Sequence, residues 1–205
     1  MNSPIQNYQS YRWFITKSKK LVIGGKSAAQ NDQLLTQLKT QTLPPKSQIT
    51  PPPQEDYIVM HTHLPSSPFS IILAPINKVN KSDLEETAIF TACFSQQWKF
   101  KKKKTQVDIF KLSSLTKPLR LKTGTWQVKE KLSSKTVELK LVLTKQNNIL
   151  RAVPEQTTKT FLLKIKPGDI DKTDILSKIQ VLLPQSKNQE EILQALPSGG
   201  ISITK

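Results

Sequence analysis

The sequence has 205 residues, of which 36% are hydrophobic, enough for the core of one ordinary domain with a smaller appendage. Its 31 lysines and arginines against 15 aspartates and glutamates give a net charge of +16, which indicates a polyanionic partner such as RNA, DNA or an anionic membrane surface. A single cysteine excludes an internal disulfide, and no apolar run approaches the ~20 residues that a membrane-spanning helix needs. We therefore expect a soluble, cytoplasmic protein; a basic composition that serves only solubility is the alternative to a polyanionic partner.

The first predicted element is a β-hairpin that leads into a helix. Residues 11–16 and 21–23 are rich in aromatic and β-branched side chains and flank a short lysine-rich turn. Gly24-Gly25 then allows a tight turn, and a helix is predicted to begin near Asn31 or Asp32, because either side chain is suited to capping it.

Gly25-Lys26-Ser27 has the form of the end of a phosphate-binding P-loop. The first glycine of that motif would fall at position 20, where the sequence has Lys20, so nucleotide hydrolysis is not predicted. Lys26 and the backbone amides at a helix entrance are nevertheless suited to a phosphate that belongs to a larger ligand.

A proline-rich stretch and two strands follow the first helix. Residues 43–54 contain five prolines and are predicted to be extended and exposed. Residues 56–61 and 69–73 are predicted strands. His61 and His63 have the spacing to share one side of a strand, but no third ligand stands nearby, so no metal site is predicted.

Residues 82–98 are the clearest predicted helix. Ser82 and Glu85 are spaced as a capping box, and Phe90, Phe94 and Trp98 fall on one line that is predicted to face the core. A lysine run at 99–104 follows directly, and it is either a solvated loop or a set of phosphate contacts, of which we favour the second.

The remaining sequence divides into a basic loop and a C-terminal extension. A strand is predicted at 106–110, and the loop that follows, closed by Gly124 before a strand at 125–128, offers cations and backbone amides to phosphate. Beyond residue 130 the patterns predict a small α+β extension with strands at 135–143, 159–165 and 201–204 and helices at 174–183 and 189–196.

Several of these motifs resemble, in the same order, those of the NFACT-R domain, the RNA-binding module of the ribosome quality-control proteins. Ser66, Pro68 and Thr123 stand where that family has glycine, histidine and proline. The matching segments are Tyr11-Arg12, Phe14-Ile15, Gly25-Lys26, Gln30-Asn31-Asp32, His61-Thr62, Pro65-Ser66-Ser67, Val107-Asp108, Lys117-Pro118, Lys122 and Gly124.

The resemblance implies an α+β fold, with a mixed sheet and two or three helices in residues 11–130. A tail at 1–10 would precede this domain, the proline-rich insertion at 43–54 would interrupt it, and the extension at 131–205 would follow. It further implies a non-catalytic RNA-binding protein in ribosome-associated quality control, with tRNA or the large ribosomal subunit as partner and without a cofactor or metal.

The residues predicted to contact RNA come from the motifs and basic segments named above. The alternative function is a general polyanion-binding or interaction module, for DNA or acidic proteins, without a role at the ribosome. No nucleophile–base pair or paired carboxylates that would indicate an enzyme are evident in the sequence. The predicted RNA contacts are Lys26, Gln30, Asn31, His61, Ser66, Ser67, Lys101, Lys102, Lys103, Lys104, Lys117, Arg120 and Lys122.

Overall fold

The structure, a computed structural model, describes residues 4–42, 56–182 and 189–204, so the predicted insertion at 43–54 lies outside the described residues. None of the described helices combines the length and the apolar character that crossing a bilayer requires. The helices are α1 Ala28–Thr42, α2 Lys81–Cys93, α3 Gln96–Lys99, α4 Lys172–Leu182 and α5 Gln189–Ala195. The strands are β1 Arg12–Ile15, β2 Leu21–Gly24, β3 Tyr57–Thr62, β4 Ser70–Pro75, β5 Lys104–Lys111, β6 Leu115–Thr116, β7 Gln127–Val128, β8 Ser133–Glu138, β9 Leu141–Gln146, β10 Ile149–Val153, β11 Leu163–Ile170 and β12 Ile201–Thr204.

Six strands form the first sheet, in the order β1-β2-β4-β3-β5-β8. The predicted α+β class and the β1–β2 hairpin are confirmed, with Arg12 opposite Gly24 and Ile15 opposite Leu21. The described strand pairs are all antiparallel, where a mixed sheet was expected, because the β3–β4 hairpin inserts between β2 and β5 and runs opposite to each.

Both faces of the first sheet are covered. Alternating side chains of β1 point to opposite faces, so Phe14 packs with α2 and the second sheet while Trp13 packs with α1. Ile5, in the predicted tail, is also buried in the α1 cluster. The sheet is therefore the central layer of the molecule.

Helix α1 begins earlier than the sequence predicted. Ser27, rather than Asn31 or Asp32, caps it, since the Ser27 hydroxyl accepts a hydrogen bond from the Gln30 backbone amide at 3.2 Å. The Gln30 side chain reaches back and accepts from the Lys26 amide at 2.9 Å. Serine followed three residues later by glutamine is the sequence pattern of a capping box, but here the glutamine binds the amide of the residue before the cap, and the two hydrogen bonds together fix the start of α1.

Helix α2 also uses a different cap from the predicted pair Ser82 and Glu85. The Asn80 side chain accepts from the Asp83 amide at 2.9 Å, and the Asp83 carboxylate accepts from the Asn80 amide at 3.0 Å. The predicted helix over 82–98 is interrupted at its end, because Ser95 leaves the helical conformation and caps the short helix α3.

A buried carboxylate of α2 secures the β1–β2 hairpin. Asp83 is fully buried and accepts hydrogen bonds from Thr16 Oγ1 at 2.8 Å and from the Ser18 hydroxyl, and Lys20 Nζ lies 3.0 Å from its other oxygen. Burial alone would raise the pKa of Asp83, but hydrogen bonds from Asn80 and from the hairpin outweigh burial and hold the pKa below its ordinary value.

The second sheet has the strand order β10-β9-β11-β12 and carries α4 and α5. The predicted strand at 135–143 is in fact two strands, because the chain leaves the first sheet after β8 and enters the second with β9. Pro167-Gly168 was expected to end a strand, but it lies inside β11, where a register shift accommodates it. One hydrophobic core runs through both sheets.

Candidate nucleic-acid interface

An open cleft of about 690 Å³ lies where four segments meet. These are the start of α1, the β3–β4 turn, α3 and the loop that precedes β7. The cations that line it are Arg12, Lys26 and Lys99, and no aspartate or glutamate is among its described lining residues. A concave wall that carries only positive formal charge is suited to an anion.

Arg12 is the most deeply placed of these cations. Its Nη1 donates to the Gly25 carbonyl at 3.2 Å, and its guanidinium carbon lies 5.1 Å from the centre of the Phe94 ring. Burial lowers the pKa of Arg12 to about 10, so it stays charged at neutral pH. Arg12 forms no ion pair within the part of the chain that the structure describes.

Positive charge is concentrated at the entrance of α1. Partial desolvation at the cleft wall and the nearby charges of Arg12 and Arg151 lower the pKa of Lys26. The N-terminal end of α1 adds the partial positive charge of the helix dipole at the same point, with Ser27 and Ala28 in the cleft wall. An incoming phosphate would relieve the repulsion among these groups.

The two polar residues predicted from the start of α1 have structural partners. Gln30 completes the helix cap, and its side chain is not part of the cleft wall. Asn31 does line the cleft, but it is buried and its Oδ1 accepts from the Phe69 amide at 3.2 Å. A side chain at Gly25 would place its Cβ only 2.2 Å from Asn31 Oδ1, so this close approach requires glycine.

Asp32 ties the basic loop to α1. Its carboxylate accepts from Lys117 Nζ at 2.5 Å, from the Gly124 amide at 2.9 Å and from Trp126 Nε1 at 2.8 Å. Burial would raise the pKa of Asp32, but these three hydrogen bonds and the charge of Lys117 hold it below its ordinary value. We call this group, Asp32 with Lys117, Gly124 and Trp126, the loop clamp. Asp32 was predicted from the sequence as a possible helix cap and as part of the Gln30-Asn31-Asp32 motif, not as a partner of the basic loop.

The clamp separates the roles of two lysines that were both predicted to contact RNA. We expect Lys117→Ala to lower the free energy of unfolding by about 1–2 kcal/mol, because Asp32 loses a half-buried charged partner. Lys122→Ala should change it by less than about 0.5 kcal/mol, since its side chain is exposed. Urea unfolding of the two variants checks this, and equal losses would contradict the assigned roles.

The β3–β4 turn brings three predicted residues to the cleft. His61 packs its ring 4.6 Å from the Phe69 ring, and burial lowers its pKa, so it is neutral at pH 7. Ser67 is buried and accepts from the Thr62 amide at 2.9 Å, which fixes the turn. Ser66 is exposed, with a φ of 68°, and its hydroxyl is the one most open to a ligand.

Helix α3 supplies the facing wall through Ser95, Gln96 and Lys99. The backbone amide of Gln96 donates to the backbone carbonyl of Ser66 at 3.1 Å, which joins the two walls of the cleft. The Gln96 side chain is exposed and makes no hydrogen bond to the described residues. None of these three residues was in the sequence-derived set, although Lys99 begins the lysine run.

The other predicted cations lie outside the cleft wall. Lys101 pairs with Asp169, and Lys104 Nζ lies 3.5 Å from Glu138 Oε1. The lysine run contributes Lys99 to the cleft wall, and the basic loop contributes Thr123. Of these predicted cations outside the wall, the exposed ones without an ion pair in the described part of the chain are Lys102, Lys103, Arg120 and Lys122.

The C-terminal extension completes one side of the cleft. Ser198 lines it, and the Gly200 carbonyl accepts from Trp98 Nε1 at 3.0 Å. Gly199 has a φ of +118°, and a Cβ there would lie 2.9 Å from the Lys99 Cα. This close approach of the 198–200 turn to α3 positions Lys99, which sequence patterns alone did not reveal.

The chain is similar in sequence to a known archaeal protein. No family model matches it. The archaeal Rqc2 homolog aRqcH of Methanocaldococcus jannaschii is 24% identical over 211 residues, an alignment that covers 97% of this chain and 29% of that protein. The chain therefore spans less than a third of the relative's length.

A solved structure is also similar to this chain. It is the C-terminal part of the fibronectin/fibrinogen-binding protein from Streptococcus suis, which matches with a TM-score of 0.48 and 20% identity over 62% of this chain and 43% of the other. That match is too distant to support an argument about function. The archaeal relative confirms, at low identity, the resemblance drawn from the motifs.

Proposed function

We propose that this chain, which is similar to an archaeal Rqc2 homolog, is a non-catalytic RNA-binding protein in ribosome-associated quality control. Its partners in this proposal are tRNA or the RNA of the large ribosomal subunit, in the cytoplasm. The observation that carries the proposal is the cleft, whose charged lining residues Arg12, Lys26 and Lys99 are all cations.

Phosphate contacts supply most of the affinity in this proposal. Lysine is a compact, hydrated charge that binds phosphate without reading bases, and the net charge of +16 attracts the RNA at longer range. Arg12 adds a planar guanidinium, whose N–H donors can bind two oxygens of one phosphate. The neutral polar groups of the wall are suited to the 2′-hydroxyl, which distinguishes RNA from DNA.

Ultraviolet crosslinking in cells, followed by sequencing of the bound RNA, tests this function. We expect reads concentrated on tRNA and on the large-subunit ribosomal RNA. Reads scattered over abundant RNAs in proportion to their level would contradict a ribosomal role and leave a general polyanion-binding module.

A comparison in vitro tests RNA recognition separately from charge. At matched salt, tRNA should bind more tightly than a DNA of equal length, since attraction to phosphate alone treats the two alike. Equal affinities over the whole salt range would contradict recognition of RNA.

A further inference from the structure

The size and lining of the cleft indicate a ligand larger than a single phosphate. Its volume of about 690 Å³ falls within the ~300–1,000 Å³ of sites that enclose a small molecule. A lone phosphate fills only a small part of such a space. Its lining also includes the aromatic residues His61, Phe69, Phe94, Phe110 and Trp126.

Arg12 gives the cleft a position for one phosphate. Its side chain is largely removed from solvent and, among the described residues, forms no ion pair and makes one hydrogen bond, to the Gly25 carbonyl. A charge in this setting is stabilised by an anion that enters and accepts its remaining N–H groups. Lys26, on the adjoining wall, adds a second cation.

The opposite side of the cleft offers hydrogen bonds of both kinds. The side-chain amide of Gln96 carries a donor and an acceptor, and it has no hydrogen-bond partner among the described residues. Ser66 adds an exposed hydroxyl, and its carbonyl holds the Gln96 backbone in place. Half-buried Phe94 supplies an aromatic surface beside Arg12.

We infer that this cleft binds one unpaired nucleotide of an RNA strand, with its phosphate at Arg12 and Lys26 and its ribose and base between Phe94, Ser66 and Gln96. The inference rests on the proposed function and deepens it, because it specifies which form of RNA enters the site. A nucleotide within an A-form duplex keeps its base stacked and paired, so only a single-stranded end, loop or bulge fits.

Fluorescence anisotropy with two RNAs tests the inference. One is an unstructured strand of roughly 16 nucleotides, the upper end of single-strand site sizes, and the other is a blunt duplex with the same number of phosphates. At equal salt we expect the single strand to bind about 10-fold more tightly, the effect of one well-held base. Uridine monophosphate should also displace the labelled strand at lower concentration than inorganic phosphate does.

A double variant, Ser66→Ala with Gln96→Ala, assigns the preference to this cleft. Both side chains are exposed, so the fold should be retained, which a thermal melt checks. The preference for the single strand should fall to about 3-fold or less, while the salt dependence of binding stays unchanged because no cation is removed. The control Lys145→Ala alters an exposed lysine outside the cleft wall and should keep the full preference.

The outcomes separate this inference from the proposed function. Equal affinity for the duplex and the single strand overturns the unpaired-nucleotide site but leaves RNA binding intact. A preference that survives the Ser66 and Gln96 double variant unchanged overturns its assignment to this cleft. Failure to bind either RNA overturns the proposed function itself.

Discussion

Reversing two charges of the cleft, with Lys26→Glu and Lys99→Glu together, is expected to weaken RNA binding by at least about 100-fold at physiological salt. Each lysine makes a charge-assisted contact worth about 1.5–3 kcal/mol in this account, and the introduced carboxylates repel the strand. Both side chains are exposed, and neither makes a described ion pair, so the substitutions should leave the fold intact.

The salt dependence gives the same experiment a second measure. If two phosphate contacts are lost, the slope of log affinity against log salt should become shallower by about 1.4, the value for two contacts to a single strand. Anisotropy titrations over a salt series provide both quantities.

A matched control uses two exposed lysines outside the cleft wall. Lys145→Glu with Lys166→Glu changes the net charge by the same amount. If affinity depends on the cleft, the control should lose much less of it. An equal loss in the two double variants would show that binding follows net charge rather than position, as in a general polyanion-binding module.

Asp83→Asn is expected to have the largest effect on stability, with a loss of about 3–5 kcal/mol in the free energy of unfolding. Asp83 is fully buried, and the charge of Lys20 and the hydroxyls of Thr16 and Ser18 are directed at its carboxylate. Removing its charge leaves Lys20 without a carboxylate to pair with, with only its hydrogen bond to the Ser18 hydroxyl, and loosens the hairpin from α2. The melting temperature should fall by about 10 °C, measured by calorimetry.

Glu138→Gln is the matched control for that substitution. Its ion pair with Lys104 is exposed on both sides, so its loss should change stability by less than about 1 kcal/mol. A loss as large as that of Asp83→Asn would contradict the contrast between buried and exposed pairs.

The same carboxylate makes stability depend on pH. Because folding depresses the pKa of Asp83, its stabilising effect is complete above the unfolded-state value of about 4 and is lost as pH falls through the folded value. Asp32 and Asp108 shift in the same direction. The wild-type chain should therefore lose stability steeply below about pH 4, and Asp83→Asn should lose it less steeply.

Much of the first sheet could be predicted from the sequence because its signals are local. Alternating apolar residues and the turn at 17–20 indicate β1 and β2 without knowledge of the rest of the chain. The start of each helix was harder to predict, because more than one nearby side chain is able to cap it. These are Ser27 and Asn31 for α1, and Asn80 and Ser82 for α2. Tertiary contacts decided among them, as when the buried hairpin fixed Asp83 in its place.

The cleft itself was only partly predictable. Lys26, His61 and Ser66 were found from short motifs, but Arg12 and Gln96 reach the site through pairings between distant segments. The sequence also did not reveal that Lys117 neutralises Asp32, because that contact spans 85 positions. A lysine is suited to bind phosphate, but the sequence does not show whether a carboxylate of the folded chain already pairs with it.

The most direct test of RNA binding in this cleft is photocrosslinking of the purified chain to a 4-thiouridine RNA, with the crosslinked residues identified by mass spectrometry. We expect adducts on cleft residues, above all in segments 61–69, 94–99 and 123–126. Adducts confined to segments away from the cleft, such as 133–153, would contradict RNA binding in this cleft.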